Sequence, residues 1–127
     1  MTVIHVVAAV VVDEHGRLLV VRKRGTSAFM QPGGKFETGE DAVAALRREV
    51  REELGVGIAT VRPLGRHTAA AANEPGHTVA AELFAVTLDG PPRAAAEIAE
   101  LTWLDPHRPD AVELAPLTRD AVLALLS

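Results

Sequence analysis

The sequence predicts a mixed α/β (α+β) fold, a mixed β-sheet with helices covering its faces, in one domain spanning residues 1–127. Three observations lead there: β-branched apolar runs near the N-terminus, an amphipathic segment that ends in glycine at position 55, and further apolar runs followed by a second helical pattern. At 127 residues the chain can bury roughly two thirds of its unfolded surface in one core. That core is expected to be aliphatic, since hydrophobic residues reach 48% while aromatics make up only 3%.

The run at 3–12 is rich in valine and ends in the turn-like Asp13-Glu14-His15-Gly16, after which 17–21 resumes an apolar stretch. Together they read as a β-hairpin. Loops follow at Gly25-Thr26-Ser27 and at Gln31-Pro32-Gly33-Gly34. The clearest helix is 40–54, with Thr38 and Gly39 ahead of it, an acidic first turn, and Gly55 just past its end. Val43, Leu46, Val50 and Leu54 recur at three and four residues and form one apolar stripe. Strands are expected at 58–64, 79–88 and 98–104. A final helix fits 116–126, with proline in its first turn and Leu117, Ala121, Val122 and Leu125 facing inward.

Composition narrows the function. Seventeen acidic residues against thirteen basic ones give a net charge of −4, which argues against a grip on long nucleic acid, although a nucleotide-sized anion could bind through bridging metal ions. There is no cysteine, so disulfides and thiolate zinc sites are excluded. The apolar run at 3–12 lacks a basic leader and is too short to span a bilayer, so the expectation is a cytoplasmic protein without a membrane partner.

On a helix, Glu49, Glu52 and Glu53 fall within a wedge of about 100°, beside the apolar stripe, where burial of the stripe would leave them facing a cleft. Glu40 projects about 180° from Glu49 and has a different role. Three like charges at this spacing repel. Two readings account for them: a solvated face laced by Arg47, Arg48 and Arg51, or a divalent metal site whose oxygen donors suit Mg²⁺ or Mn²⁺. Gly33 and Gly34 let the backbone approach a ligand in the same region.

Gly34, five residues, Glu40, seven residues, then Arg48-Glu49-Val50-Arg51-Glu52-Glu53-Leu54-Gly55-Val56 resembles a complete Nudix box, residues 34–56. The flanks are similar to those of small, single-domain MutT-type members of that family. The resemblance implies an α/β/α sandwich with a mixed sheet, and Mg²⁺-dependent hydrolysis of a nucleoside diphosphate linked to a further group X, with Mn²⁺ as the alternative metal. It assigns Glu49, Glu52 and Glu53 to the catalytic metal cluster, the Gly33 carbonyl as a further ligand, and Gly34, Glu40, Arg48 and Gly55 to the scaffold. MutT-type proteins place another metal-binding glutamate six residues ahead of a tryptophan, and Glu97 stands six before Trp103. Glu49 is by the same resemblance the general base, removing a proton from water for in-line attack at phosphorus.

For substrate contacts, Arg22 matches a basic position of MutT-type proteins and is the expected phosphate contact; Lys35, with Lys23 and Arg24, offers further cations. Phe29 is the expected base contact, whereas Trp103 and Phe84 sit in apolar strand patterns and read as core. MutT-type enzymes acting on oxidised purines read the base with an asparagine near the final helix, and the matching Leu117-Thr118 has none nearby. The histidines have no metal-ligand spacing. The expected partner is therefore a small nucleotide, and the resemblance also implies a homodimer. A non-catalytic nucleotide sensor on the same fold is the alternative, although no box carboxylate is missing. An isomerase of the same fold acting on a prenyl diphosphate would need extra acid/base residues such as a cysteine, which the chain lacks.

Overall fold

In the computed structural model, which describes residues 2–126, the chain forms two sheets flanked by helical segments. Strands β1 (Thr2–Val10), β2 (Leu18–Lys23), β3 (Phe29–Met30) and β4 (Gly33–Lys35) lead into helix α1 (Ala42–Leu54). Strands β5 (Ile58–Ala70), β6 (His77–Leu88) and β7 (Ile98–Leu104) follow, then a 3₁₀ turn at Pro109–Ala111 and a π-helical turn at Thr118–Val122 that runs into α2 (Leu123–Leu126). The four-stranded sheet has the order β4-β1-β6-β5 and is mixed, because β1 and β6 are parallel; the three-stranded sheet, β3-β2-β7, is antiparallel. Among the described residues no helix is long and apolar enough to cross a membrane.

The expected hairpin exists only at its base. The Asp13 N–H donates to the Arg17 carbonyl and the Leu19 N–H to the Val11 carbonyl, both at 2.9 Å, and then β1 and β2 part into different sheets. Burial on both faces explains the separation. Val7, Ala9, Val11, Leu19 and Val21 pack with Leu46, Val50 and Leu54 of α1 in one core, while Ala8, Val10, Leu18 and Val20 meet Leu83, Leu104 and Val122 in a second. Each fully buried leucine or valine contributes about 1.5–3 kcal/mol. The cores thus lie on opposite faces of the strands, under α1 and under the C-terminal helical segment.

Helix α1 begins two residues later than the sequence pattern indicated. Asp41 is its extended N-cap, accepting from the Ala44 N–H at 2.8 Å, and its first turn contains no acid. Glu40 stays outside because its carboxylate is committed to Arg48 and to the Glu37 N–H. At the other end Gly55 is left-handed at φ 69°, and its N–H reaches the Arg51 carbonyl.

Strand β5 runs six residues beyond the expected Leu64, paired with β6 as far as Ala70↔Thr78. It is an edge strand with little apolar alternation after Pro63, so backbone pairing rather than burial defines it. The C-terminal helical register differs in part from expectation: Val122 is buried as expected, but Thr118 is buried as well and Leu125 is exposed. The Leu123 N–H bonds back to the Thr118 carbonyl, five residues earlier, and this wider turn rotates the apolar face.

Replacing the cap, Asp41→Ala, is expected to lower stability by about 1 kcal/mol in chemical denaturation. Asp41→Asn should retain most of it, and Thr38→Ala, outside the helix, should stay within about 0.5 kcal/mol of the parent.

Candidate active site

Two glycines set how closely the chain layers approach. Gly33 pairs with Ala8 of β1, and a Cβ there would collide with the Val7 carbonyl oxygen. A Cβ on Gly34 would stand 2.7 Å from the Glu49 carboxylate. The first glycine lets β4 seat on β1, and the second leaves room for an acid of α1 against the backbone.

Glu53 is the most deeply placed of the box carboxylates, 2% exposed, and its Oε1 accepts from the Gly33 N–H at 3.1 Å. Burial pushes its carboxyl up to about 8; the Gly33 hydrogen bond and the charge of Lys23 oppose the rise, while the charges of Glu49 and Glu97 add to it. Glu49 lines a cleft of about 450 Å³ and is held by Arg48 Nη1 at 2.8 Å. Glu52 departs from the expected shared cleft edge: its side chain is 53% exposed and its nearest cation is Arg48 Nη1 at 3.8 Å. Among the described residues no group of three His, Cys, Asp or Glu side chains is placed to hold a metal ion; Arg48 Nη1 lies 2.8 Å from Glu49 and 3.8 Å from Glu52.

The donor chemistry nonetheless fits a divalent cation. Glu53 is buried, which raises its pKa, and the charges of Glu49 and Glu97 add to the rise, so a cation between the three would oppose both by favouring the ionised carboxylate. All three offer oxygen only, as Mg²⁺ and Mn²⁺ require.

Arg48 organises the box. It grips Glu40 through two bonds, Nε to Oε2 at 2.7 Å and Nη2 to Oε1 at 2.8 Å, and also donates to the Lys35 carbonyl at 3.0 Å. Glu40 in turn accepts from the Glu37 N–H. The Arg48 hydrogen bonds first, and the Glu37 N–H second, hold the Glu40 carboxyl down to about 2, and Arg48 itself is raised. One guanidinium therefore ties the loop before α1, the strand β4 and Glu49 together.

The remaining expected contacts divide. Glu97 lines the cleft, whereas Glu100 is bound to Arg22, Nε to Oε1 at 2.8 Å. Arg22, expected at phosphate, does not line the cleft: it spends its guanidinium on Glu100 and on the Thr26 carbonyl. Lys23 takes the cleft side instead. A register shift between Arg22 and Lys23 breaks strict alternation there, which is why the sequence did not reveal which of the two faces inward. Phe29, expected as a base contact, is buried in the second core, with its N–H on the Glu113 carbonyl and its own carbonyl accepting from Ala115. Met30 and Phe36 line the cleft in its place. Lys35 stands at the mouth, 4.0 Å from Glu74. Buried Gln31 and Thr118 also line the cleft; by sequence Gln31 falls in a loop and Thr118 where an asparagine is lacking, and neither belongs to the expected site.

The sequence model of one family, the NUDIX domain, matches residues 3–125. An RNA pyrophosphohydrolase of Halorhodospira halophila is 42% identical over 59 residues, which are 46% of this chain and 33% of that protein. A MutT-like protein of Streptomyces ambofaciens is 32% identical over 100 residues, covering 79% of this chain and 62% of the relative. The chain thus spans 33% and 62% of the lengths of these two curated relatives. Among solved structures, the E. coli ORF135 protein is similar with a TM-score of 0.72 and 29% identity, over 99% of this chain and 87% of that one.

The Glu40–Arg48 grip carries a pH signature. Since the folded pKa of Glu40, about 2, lies below its ordinary value of 4.5, the stabilisation is fully present above pH 4.5 and is lost as the pH falls toward 2. Thermal denaturation of the parent and Glu40→Gln should show a constant gap in Tm from about pH 7 to 5 that narrows at lower pH. A gap independent of pH down to the acid limit would contradict the assignment.

Proposed function

The chain belongs to the Nudix family as a small MutT-type member, and from that premise we propose that it is a Mg²⁺-dependent pyrophosphohydrolase. Its substrate is a nucleoside diphosphate linked to a group X, most simply a nucleoside triphosphate, cleaved to a nucleoside monophosphate and pyrophosphate or phosphate-X. The observation that carries this reading is the complete box in which Glu53, 2% exposed, sits against the Gly33 N–H beside the cleft that Glu49 and Glu97 line. The name of the Halorhodospira halophila relative, an RNA pyrophosphohydrolase, supports a phosphoanhydride as the bond attacked.

Glu49, Glu53 and Glu97, with the Gly33 carbonyl, would hold the cation, and exposed Glu52 would join them after swinging away from Arg48. The bound ion supplies neutralisation of the diphosphate charge and acidifies water at the site. Lys23 and Lys35 line the cleft and orient the phosphates. Glu49 removes the proton from the attacking water, and Arg48, 2.8 Å from it, fixes its orientation through the anchored Glu40. In-line attack then breaks the bond between phosphorus and the bridging oxygen, and the leaving phosphate departs with that oxygen.

Glu53→Gln is expected to abolish Mg²⁺-dependent turnover without changing the circular dichroism spectrum; full activity would sink the metal assignment. Mg²⁺ or Mn²⁺ should raise the Tm of the parent and leave that of Glu53→Gln unmoved, a reading of the same site that needs no substrate. Glu49→Gln should lower kcat by about 10²–10⁴ with little change in KM. Tight nucleotide binding with no Mg²⁺-dependent cleavage across nucleoside triphosphates, nucleotide sugars, ADP-ribose and dinucleoside polyphosphates would replace the hydrolase with a sensor.

A further inference from the structure

Glu97 is the one acid assigned to the cation that does not stand on α1. It is exposed, so packing does not fix its side chain, and the backbone that carries it decides where its carboxylate can point. That backbone is strained. The Ile98 N–H bonds to the Ala95 carbonyl at 3.0 Å and closes a four-residue turn over Ala96 and Glu97, in which Ala96 takes φ 53°. No other non-glycine residue among the described ones has a positive φ. An alanine in the left-handed region is crowded by its own Cβ, where glycine would not be, and such a conformation persists only where its surroundings enforce it.

Hydrogen bonds on both sides enforce it. The Ala95 N–H is tied to the Glu53 carbonyl at 3.0 Å, and the Arg24 N–H donates to the Glu97 carbonyl at 2.7 Å. Arg24 is presented by a turn in which the Thr26 N–H and hydroxyl both bond to the Lys23 carbonyl, at 3.1 and 2.8 Å. The Arg22 side chain braces that turn against β7. Its Nη1 donates to the Thr26 carbonyl at 2.8 Å, while Nε, at 2.8 Å, and Nη2, at 2.6 Å, meet Glu100 Oε1. Arg22 pairs with Glu100 across the strands and Lys23 with Ile98, so Ala99 is the extra residue of a bulge, and the brace sits at that bulge. As a stabilising ion pair the contact is minor, since the Glu100 side chain is 55% exposed. What it supplies is geometry, a planar fork holding two segments in a set relation.

We propose that Arg22 is a positioning residue for metal binding: its brace between Thr26 and Glu100 holds the strained turn at Ala96, and that turn directs Glu97 to the cation. Arg22 thus acts on the metal while touching neither it nor the phosphates, in keeping with a guanidinium that stays off the cleft wall although its neighbour Lys23 lines it. The inference rests on the reading of Glu97 as a ligand of the cation, and adds how that ligand is held.

Titration with Mn²⁺ in the absence of nucleotide, followed by the electron paramagnetic resonance of the free ion, tests it. Arg22→Met and Glu100→Gln should each weaken Mn²⁺ binding about 10-fold, and the double variant should stay within about twofold of either, because both remove one contact. The signs separate the brace from simple charge. Loss of a cation alone would tighten Mn²⁺ binding and loss of an anion would loosen it, so opposite changes, or an unchanged affinity in Arg22→Met, overturn the proposal. Ala96→Gly takes the same φ without strain, so it should leave the parent affinity within about twofold and restore that of Arg22→Met to within about threefold of the parent. No restoration would overturn the route through Ala96. Should Arg22→Met not fold, Glu100→Gln carries the test, since Ala96→Gly restores a lost brace and not a lost charge. Glu97→Gln is titrated beside them: if it binds Mn²⁺ as the parent does, the assignment of Glu97 to the metal fails and the brace with it; if it weakens binding while Arg22→Met does not, only the brace fails.

Discussion

A carboxylate that has almost no access to water, Glu53, held by the N–H of Gly33, is the constraint on which the rest of the structure depends. Burying an acid costs free energy unless a partner compensates, and here neighbouring acids add to the cost. The surrounding chain must therefore be rigid enough to hold it. The last turn of α1 is fixed from below by Leu46, Val50 and Leu54 in the first core and ended by Gly55. From above, the segment before β7 is stitched to the same turn: the Arg93 N–H bonds to the Leu54 carbonyl and the Ala95 N–H to that of Glu53 itself, both at 3.0 Å. The backbone of Glu53 thus helps to place Glu97, one of the acids that act on its side chain.

Arg48 resolves a conflict that the acidic composition of the box would otherwise create. Its bidentate hold on Glu40 is anchored outside the helix, so the arginine is pinned before it reaches Glu49. A pinned guanidinium can orient a functional acid at little further entropic cost, because its own rotamer freedom is already spent. Repulsion within the box is therefore not simply screened by the arginines as a group. Arg47 reaches the Ile58 carbonyl and Arg51 lies exposed, while the single residue Arg48 carries the contacts to Glu37, Glu40, Glu49 and Glu52.

What the sequence made legible follows from whether a residue's role is local. The stripe Val43, Leu46, Val50 and Leu54 and the cap at Gly55 depend on helical spacing alone; the cap and the last three stand as expected, and Val43 packs partly buried at the edge of the same core. The Gly33-Gly34 pair signalled a close backbone approach, and the structure shows what approaches: Val7 and Glu49. Roles decided by distant partners were illegible. Nothing around Arg22 discloses that Glu100, seventy-eight residues away, will take its guanidinium, nor around Phe29 that it will bridge to Leu114 and be buried in the second core. The apolar runs at either side of Asp13 look like one hairpin, because double-sided burial is invisible until the two cores exist. Likewise, an α-helical period applied to 116–126 buries Leu125, and only the wider turn at Thr118 reverses that.

The short strap from Gln31 to Gly33 links these scales. Pro32 accepts from the Ala9 N–H at 2.8 Å, Gln31 returns a bond to the Ala9 carbonyl, and Gly33 pairs with Ala8, so three successive residues are fastened to the edge of β1. The same three residues face two different chemistries, with Gly33 holding Glu53 and Gln31 holding Thr118. Because β1 is buried on both faces, between the core under α1 and the core under the C-terminal segment, the strap cannot shift at one end without disturbing the other. The position of the acid cluster and that of the buried amide are thereby set by one strand.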